Sequence, residues 1–252
     1  MEALILAAGR GNRMLRLTET EPKCMLEVGG KSLIGRQVDV LRDLGIRDIS
    51  VVGGYARDAL QAHLGDGFRM VHNEDYATTN SLYSFWLGLR ELRGEFIVLN
   101  ADVLFHPNLL GRLIRCPYAD ALLAEFADSL GDEEMKIKVE DGYLVDIDRA
   151  LPDGEYDGEN LGIVKFSDES RQVLSDVVGR LVAEGNQRAD FPLVTKTLLA
   201  RRRIRVLGTE GLPWIEVDFP EDLERARREI MPKLSAVVPS EAPTREERPS
   251  IR

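Results

Sequence analysis

The sequence predicts an α/β fold: a Rossmann-like, mostly parallel sheet flanked by helices, with a β-hairpin insertion over the place where a ligand would bind. Three observations carry this expectation. Apolar runs of buried-strand length alternate with helical periodicity through the first half of the chain. A glycine turn follows directly on the first run, and an Asp-Gly pair joins two short alternating segments in the second half.

Strand-length runs occur at "ALIL" (3–6), "ISVVGG" (49–54), "FRMVHN" (68–73), "FIVLNAD" (96–102) and "DALLAEF" (120–126). Between them, residues 31–45 carry Leu33, Ile34, Val38, Leu41 and Leu44 at helical spacing and stop at Gly45. Residues 79–92 do the same with Leu82, Phe85, Trp86, Leu89 and Leu92, behind the cap candidates Thr79 and Asn80. The stretch "MKIKVEDGYLVDIDR" predicts two strands joined at Asp141-Gly142, a pair suited to a tight hairpin turn. A strand at "NLGIVKFS", helices near 168–184 and 190–200, a strand at "IRVL" and the segment "WIEVDFPEDLERARREI" complete a domain spanning 1–232. Residues 233–252, rich in proline and charge and without periodicity, predict a disordered tail.

The formal net charge of −10 and pI near 5.0 argue against a nucleic-acid or anionic-membrane partner, both of which need a positive field, so "RRRIR" (201–205) reads as a solvated face. Cys24 and Cys116 are too few for a disulfide framework and lack metal-ligand spacing, which suits a reducing compartment. No charged leader precedes the first strand and no run of about 18 apolar residues occurs. A cytoplasmic protein is therefore expected.

The chemistry-bearing stretch is "LAAGRGNRM" (6–14), followed by "EPKCML" (21–26). Gly9 and Gly11 allow a sharp turn and close approach of backbone to a ligand. The dinucleotide fingerprint fails, because its third glycine falls on Met14 and no acidic residue ends "VVGGYA". "GGKS" (29–32) fails as a P-loop, because the required first glycine is Met25. What remains is a glycine turn with two cations, Arg13 and Lys23, facing one phosphate site. Asp102 ends "FIVLNAD" and Asp218 follows "WIEV", so both carboxylates reach the carboxyl edge of the sheet. Two carboxylates beside a phosphate loop suit Mg²⁺; each aspartate could instead cap a following helix, as Asp218 before Pro220.

"LAAGRGNRM" with "PKCMLEVGGKSLI" resembles the N-terminal signature of the nucleotidyltransferases that activate phosphorylated sugars and alcohols. The blocks "NEDYATTNSLYSFWLGL", "NADVLF", "DEEMKIKVEDGYLVDI", "ENLGIVKFS" and "WIEVDFPEDLERA" look like the branch of cytidylyltransferases for phosphocholine, 2-aminoethylphosphonate and inositol phosphate. The resemblance covers residues 1 to about 230 and implies the nucleotidyltransferase fold. It implies that Leu6, Ala7, Ala8, Gly9 and Gly11 receive the nucleotide, with Gly54 and Tyr55 near the base. Arg13 and Lys23 would contact phosphates, and Asp102 and Asp218 would bind Mg²⁺.

The expected reaction transfers CMP from CTP to a small phosphorylated or phosphonate acceptor. No general base is required, so the scarcity of histidine (His63, His72 and His106) is no obstacle. For the acceptor, Tyr83 and Trp214 are candidate aromatic faces. Glu134 in "DEEMK" suits a primary ammonium or hydroxyl groups, Lys136 suits the acceptor phosphate, and Asn80, Glu159 and Glu216 add polar contacts. Two alternatives stand beside this reading: a sugar-1-phosphate nucleotidylyltransferase, and a non-catalytic nucleotide-sensing subunit on the same fold. Oligomeric state is left open by the residues.

Overall fold

A computed structural model describes residues 1–234, apart from the side chain of Leu15; the tail expected at 233–252 falls outside it from residue 235 onward. The elements in chain order begin with β1 (Glu2–Ala7), two 3₁₀ turns at Asn12–Thr18 and Lys23–Met25, the short strands β2 (Glu27–Val28) and β3 (Lys31–Ser32), and α1 (Leu33–Asp43). There follow β4 (Ile49–Gly53), α2 (Arg57–Leu64), β5 (Arg69–His72), α3 (Ser81–Leu89), β6 (Phe96–Asn100), β7 (Val103–Phe105) and α4 (Pro107–Arg115). The second half holds β8 (Ala121–Phe126), β9 (Lys136–Glu140), β10 (Tyr143–Ile147), β11 (Gly158–Phe166), α5 (Asp168–Ala183), α6 (Pro192–Leu198), β12 (Arg205–Gly208), β13 (Trp214–Glu216), α7 (Pro220–Arg225) and α8 (Met231–Leu234).

The main sheet has nine strands in the order β5-β4-β1-β6-β11-β8-β12-β10-β9. All but β10 and β11 point the same way, so the mostly parallel sheet expected from the sequence is what forms. The central strands are apolar on both faces because helices cover both. Leu4, Leu6, Phe96 and Val98 pack toward α3, α5 and α6, while Ala3, Ile5, Ile97 and Leu99 pack toward α1 and α4. Helix starts follow local chemistry. Ser32 accepts from Gly35 N at α1, and Ser167 accepts from Ser170 N at α5.

The expected hairpin is β9 and β10, joined through Asp141 (φ 51°) and Gly142 (φ 75°), both left-handed as a two-residue turn of this kind requires. It pairs with β12 and with β11, and so forms the far edge of the sheet. Its contribution to the ligand pocket comes from its base, with Glu133 and Met135 before β9 and Arg149 after β10.

A third cluster of buried side chains fixes the loop edge. Met14, Leu26, Val28 and Leu33 pack with Leu104, Ile215, Val217 and Leu223, tying the two 3₁₀ turns to the β7–β13 pair and to α7. Met14, which breaks the dinucleotide fingerprint, is fully buried here. Apolar packing thereby holds together the segments that carry Arg13, Lys23, Asp102 and Asp218. Among the described residues no helix is long and apolar enough to cross a membrane.

Candidate active site

The glycine loop leaves β1 at the carboxyl edge of the sheet. Gly11 is left-handed (φ 74°), and a Cβ there would lie 2.7 Å from Lys23 Cβ, so the turn brings Lys23 directly against the loop. Gly54, after β4, is needed for a different reason: a Cβ would meet Ala8 O at 2.8 Å and Tyr76 Cβ at 2.6 Å. Tyr55 N donates to Ala8 O at 3.1 Å and the Tyr55 hydroxyl donates to Glu19 O, so the segment after β4 braces the loop from its side.

The carboxylates arrive from two elements. Asp102 follows β6, and β13 lies antiparallel to β7 with Glu216 opposite Val103 and Val217 N donating to Asp102 O at 3.1 Å. This pairing puts one oxygen of each of Asp102, Glu216 and Asp218 within 4.8 Å of the others. The capping alternative for Asp218 is not what forms. Asp222 accepts from both Asp218 N (3.1 Å) and Phe219 N (2.9 Å) and starts α7, leaving the Asp218 carboxylate free to face the loop. Asp102 precedes a strand, and α4 is capped by His106, whose Nδ1 accepts from Asn108 N.

Lys23 Nζ bridges the two aspartates, 2.6 Å from Asp102 Oδ2 and 2.5 Å from Asp218 Oδ1. Burial opposes its charge, but the two carboxylates outweigh that and hold its pKa above the usual lysine range. Arg13 reaches Asp218 Oδ2 at 3.3 Å and Glu133 at 2.7 Å. Burial, reinforced by Asp102 and Asp218, pushes the Glu216 carboxyl well above its ordinary range. A divalent cation fits this group: the donors are hard oxygens, three carboxylates converge, and Asp102 Oδ1 is buried without a hydrogen-bond partner.

These groups border a pocket of about 270 Å3 at the sheet's carboxyl edge. Of the residues expected from sequence, Leu6, Ala8, Gly9, Asn80, Asp102, Glu216 and Asp218 line it, with Lys23 and Arg13 bonded to its carboxylates and Ala7, Gly11, Gly54 and Tyr55 shaping the loop. Asn80 is the helix cap that the sequence offered, and it also lines the pocket. Its Oδ1 accepts from Ser81 N at the start of α3, and its Nδ2 donates to Asp190 across the pocket at 2.7 Å.

Other expected residues lie off the lining. Tyr83 packs on Trp86 with ring centroids 5.3 Å apart. Trp214 donates through Nε1 to Glu125 at 3.3 Å and packs against the core. Lys136 is buried with Nζ over the Tyr156 ring. Glu134 and Glu159 form a half-buried acidic group with Glu125; burial first, then those two neighbours, pushes the Glu159 carboxyl up to about 7.

Sequence reasoning did not single out Asn73, Tyr76, Ser84, Arg149, Asn160 or Asp190, all of which line the pocket. Asn73 was within reach, since it directly follows β5 at a carboxyl strand end. Its buried amide donates to Thr79 (3.1 Å) and Ser84 (3.0 Å), ordering the start of α3. The Arg149–Asp190 ion pair joins the base of the hairpin to the loop before α6, and no local pattern marks it.

Residues 3–140, more than half of the 252-residue chain, match the MobA-like NTP transferase domain. The chain belongs to that family. Within this NTP transferase family it is 30% identical over 253 residues to the CTP:phosphoglutamine cytidylyltransferase of Campylobacter jejuni, covering 89% of this chain and 98% of that one. It is 28% identical to the bifunctional IPC transferase and DIPP synthase of Aquifex aeolicus, covering 91% of this chain and 51% of that longer protein. Its fold superposes on the inositol-1-phosphate CTP transferase of T. maritima with a TM-score of 0.75 at 22% identity, over 92% of this chain and 95% of that one. The nucleotidyltransferase fold that the "LAAGRGNRM" signature implied is borne out.

Proposed function

We propose that the protein is a cytidylyltransferase: it transfers CMP from CTP to the phosphate or phosphonate of a small polar alcohol and releases pyrophosphate. The observation that carries this reading is the convergence of the glycine loop, Lys23, Arg13 and three carboxylates on one pocket. The full-length similarity to a cytidylyltransferase supports the choice of nucleotide.

In this reading the triphosphate lies along the Gly9–Gly11 turn, and the base sits beside Gly54 and Tyr55. An acceptor oxygen attacks the α-phosphorus, its new P–O bond forming as the bond to the β-phosphate bridging oxygen breaks. The acceptor is already an anion at neutral pH, so no side chain need remove a proton. Lys23 neutralises charge on the transferring group, and Arg13 holds the departing pyrophosphate. Asp102 and Asp218, with Glu216 beside them, would hold a divalent cation, Mg²⁺ in this reading, which when bound neutralises phosphate charge. Asn80, Glu134, Lys136, Glu159, Tyr83 and Trp214 remain the proposed surroundings of the acceptor, the first directly and the others from behind the lining.

The sugar-1-phosphate alternative has less support, because the similarity spanning 98% of its relative is to a cytidylyltransferase for a phosphorylated acceptor that is not a sugar. A non-catalytic subunit would not need both cations and all three carboxylates. We place the enzyme in the cytoplasm, acting on small molecules without nucleic acid or membrane. Pyrophosphate release, with each nucleoside triphosphate crossed against phosphocholine, 2-aminoethylphosphonate, inositol phosphate, phosphorylated glutamine and sugar 1-phosphates, tests the reading. Release with CTP and a non-sugar acceptor is expected; release only with UTP, GTP or dTTP and a sugar 1-phosphate would reverse it.

A further inference from the structure

We infer that Lys23 is the resident cation of the carboxylate site in the metal-free protein, so that a divalent metal and the Lys23 ammonium compete for the same pair of carboxylates. This rests on the metal-dependent reading of the pocket. The geometry is specific. Lys23 Nζ lies between the two aspartates, within 2.6 Å of one oxygen on each, and its side chain is only 14% exposed. Those two oxygens belong to the carboxylates that, with Glu216, converge as a metal-ligand set.

Mg²⁺ held by Asp102 and Asp218 would lie about 2.0–2.1 Å from their oxygens. With Nζ still in place, a doubly charged ion and an ammonium would stand a few ångströms apart in a half-buried site, where such repulsion is weakly screened. Each therefore opposes the other's binding. The lysine backbone cannot withdraw. It is locked in the 3₁₀ turn Lys23–Met25, with Leu26 N bonded to Lys23 O at 3.0 Å, buried Cys24 beside it and Gly11 against its Cβ. Only the side chain can swing, and it starts against the glycine loop.

The arrangement has a functional consequence. Without nucleotide, the Asp102 and Asp218 carboxylates would repel each other; Lys23 holds both in place for the metal. When triphosphate enters along the loop, its oxygens offer the ammonium a new partner and release the aspartates. Metal and nucleotide therefore bind cooperatively: each removes Lys23 from the other's competitor state. Arg13 differs. Of the two aspartates it reaches Asp218 alone, at 3.3 Å, it lies closer to Glu133 at 2.7 Å, and its side chain is 49% exposed.

The test is calorimetric titration of nucleotide-free protein with Mn²⁺. Lys23→Met should bind Mn²⁺ at least about tenfold more tightly than wild type, because a competing charge in direct contact has gone. Arg13→Met, which removes the same charge at longer range, should gain much less. In chelator, Lys23→Met should also melt below wild type and recover more of its melting temperature on adding Mn²⁺. If the methionine variant does not fold, Lys23→Gln provides the same comparison. Mn²⁺ binding by Lys23→Met no tighter than by wild type, or an equal gain in Arg13→Met, would overturn the inference. Pyrophosphate release by wild type is scored separately. Its absence with the Mn²⁺ gain intact counts against the proposed activity alone, and its presence without the gain counts against this inference alone.

Discussion

Glu159→Gln is a perturbation whose sign can be worked out from the structure. Glu159 on β11 stands directly opposite Glu125 on β8, an unfavourable like-charge pairing, and Glu134 is close by. Lys136 is opposite on β9, but its ammonium is turned to the Tyr156 ring. Burial and the two glutamates raise the Glu159 pKa from 4.5 to about 7. Below pH 4.5 the group is neutral in both folded and unfolded chains and costs nothing. Between 4.5 and 7 the unfolded chain releases the proton and the native one keeps it, so stability falls as pH rises. At about 1.4 kcal/mol per pH unit, the full penalty above pH 7 is about 3 kcal/mol. Glutamine does not titrate and avoids it. Urea unfolding in chelator should therefore show the variant gaining about 2 kcal/mol more over wild type at pH 8 than at pH 5. A gain independent of pH, or one that shrinks as pH rises, would refute the reasoning.

Asp102→Asn and Asp218→Asn should each abolish metal-dependent turnover while leaving the melting temperature within a few degrees of wild type, since neither caps a helix; near-normal turnover at low Mg²⁺ would remove that residue from the site. Asp222→Ala should instead cost about 1 kcal/mol in denaturant, because it removes the acceptor for two N–H groups at the start of α7; unchanged stability would show the cap to be dispensable. Gly54→Ala forces a methyl against Ala8 O and Tyr76, so about 1–3 kcal/mol of stability and a several-fold higher KM for CTP are expected; unaltered KM would separate this segment from the nucleotide loop.

Much of the fold was legible because burial on both faces leaves near-continuous apolar strands such as "LIL" and "FIVL", and these alternate with helices of clear periodicity. The loop-edge residues were legible for the same reason: Gly9, Asp102 and Asp218 each follow a strand whose end can be read. Whether Asp218 capped α7 was not, since the competitor, Asp222, sits four residues on and either carboxylate suits the pattern. Trp214 looked available as an aromatic face, yet Glu125 and the core take it up, which strand spacing does not reveal; Tyr83 stacks on Trp86, three residues on in the same helix. Arg149 and Asp190 meet only because the hairpin returns to the sheet edge beside α6, a contact between segments 41 residues apart that no local pattern encodes.

Transfer of a nucleotidyl group is followed at the α-phosphorus, the atom that changes partners. CTP labelled there is incubated with the protein, Mg²⁺ and the best acceptor of the panel. The label should move wholly into a CDP-linked product, one pyrophosphate appearing for each label transferred and none without acceptor. Label recovered as free CMP, or label left in CTP while the terminal phosphate is lost, would contradict it.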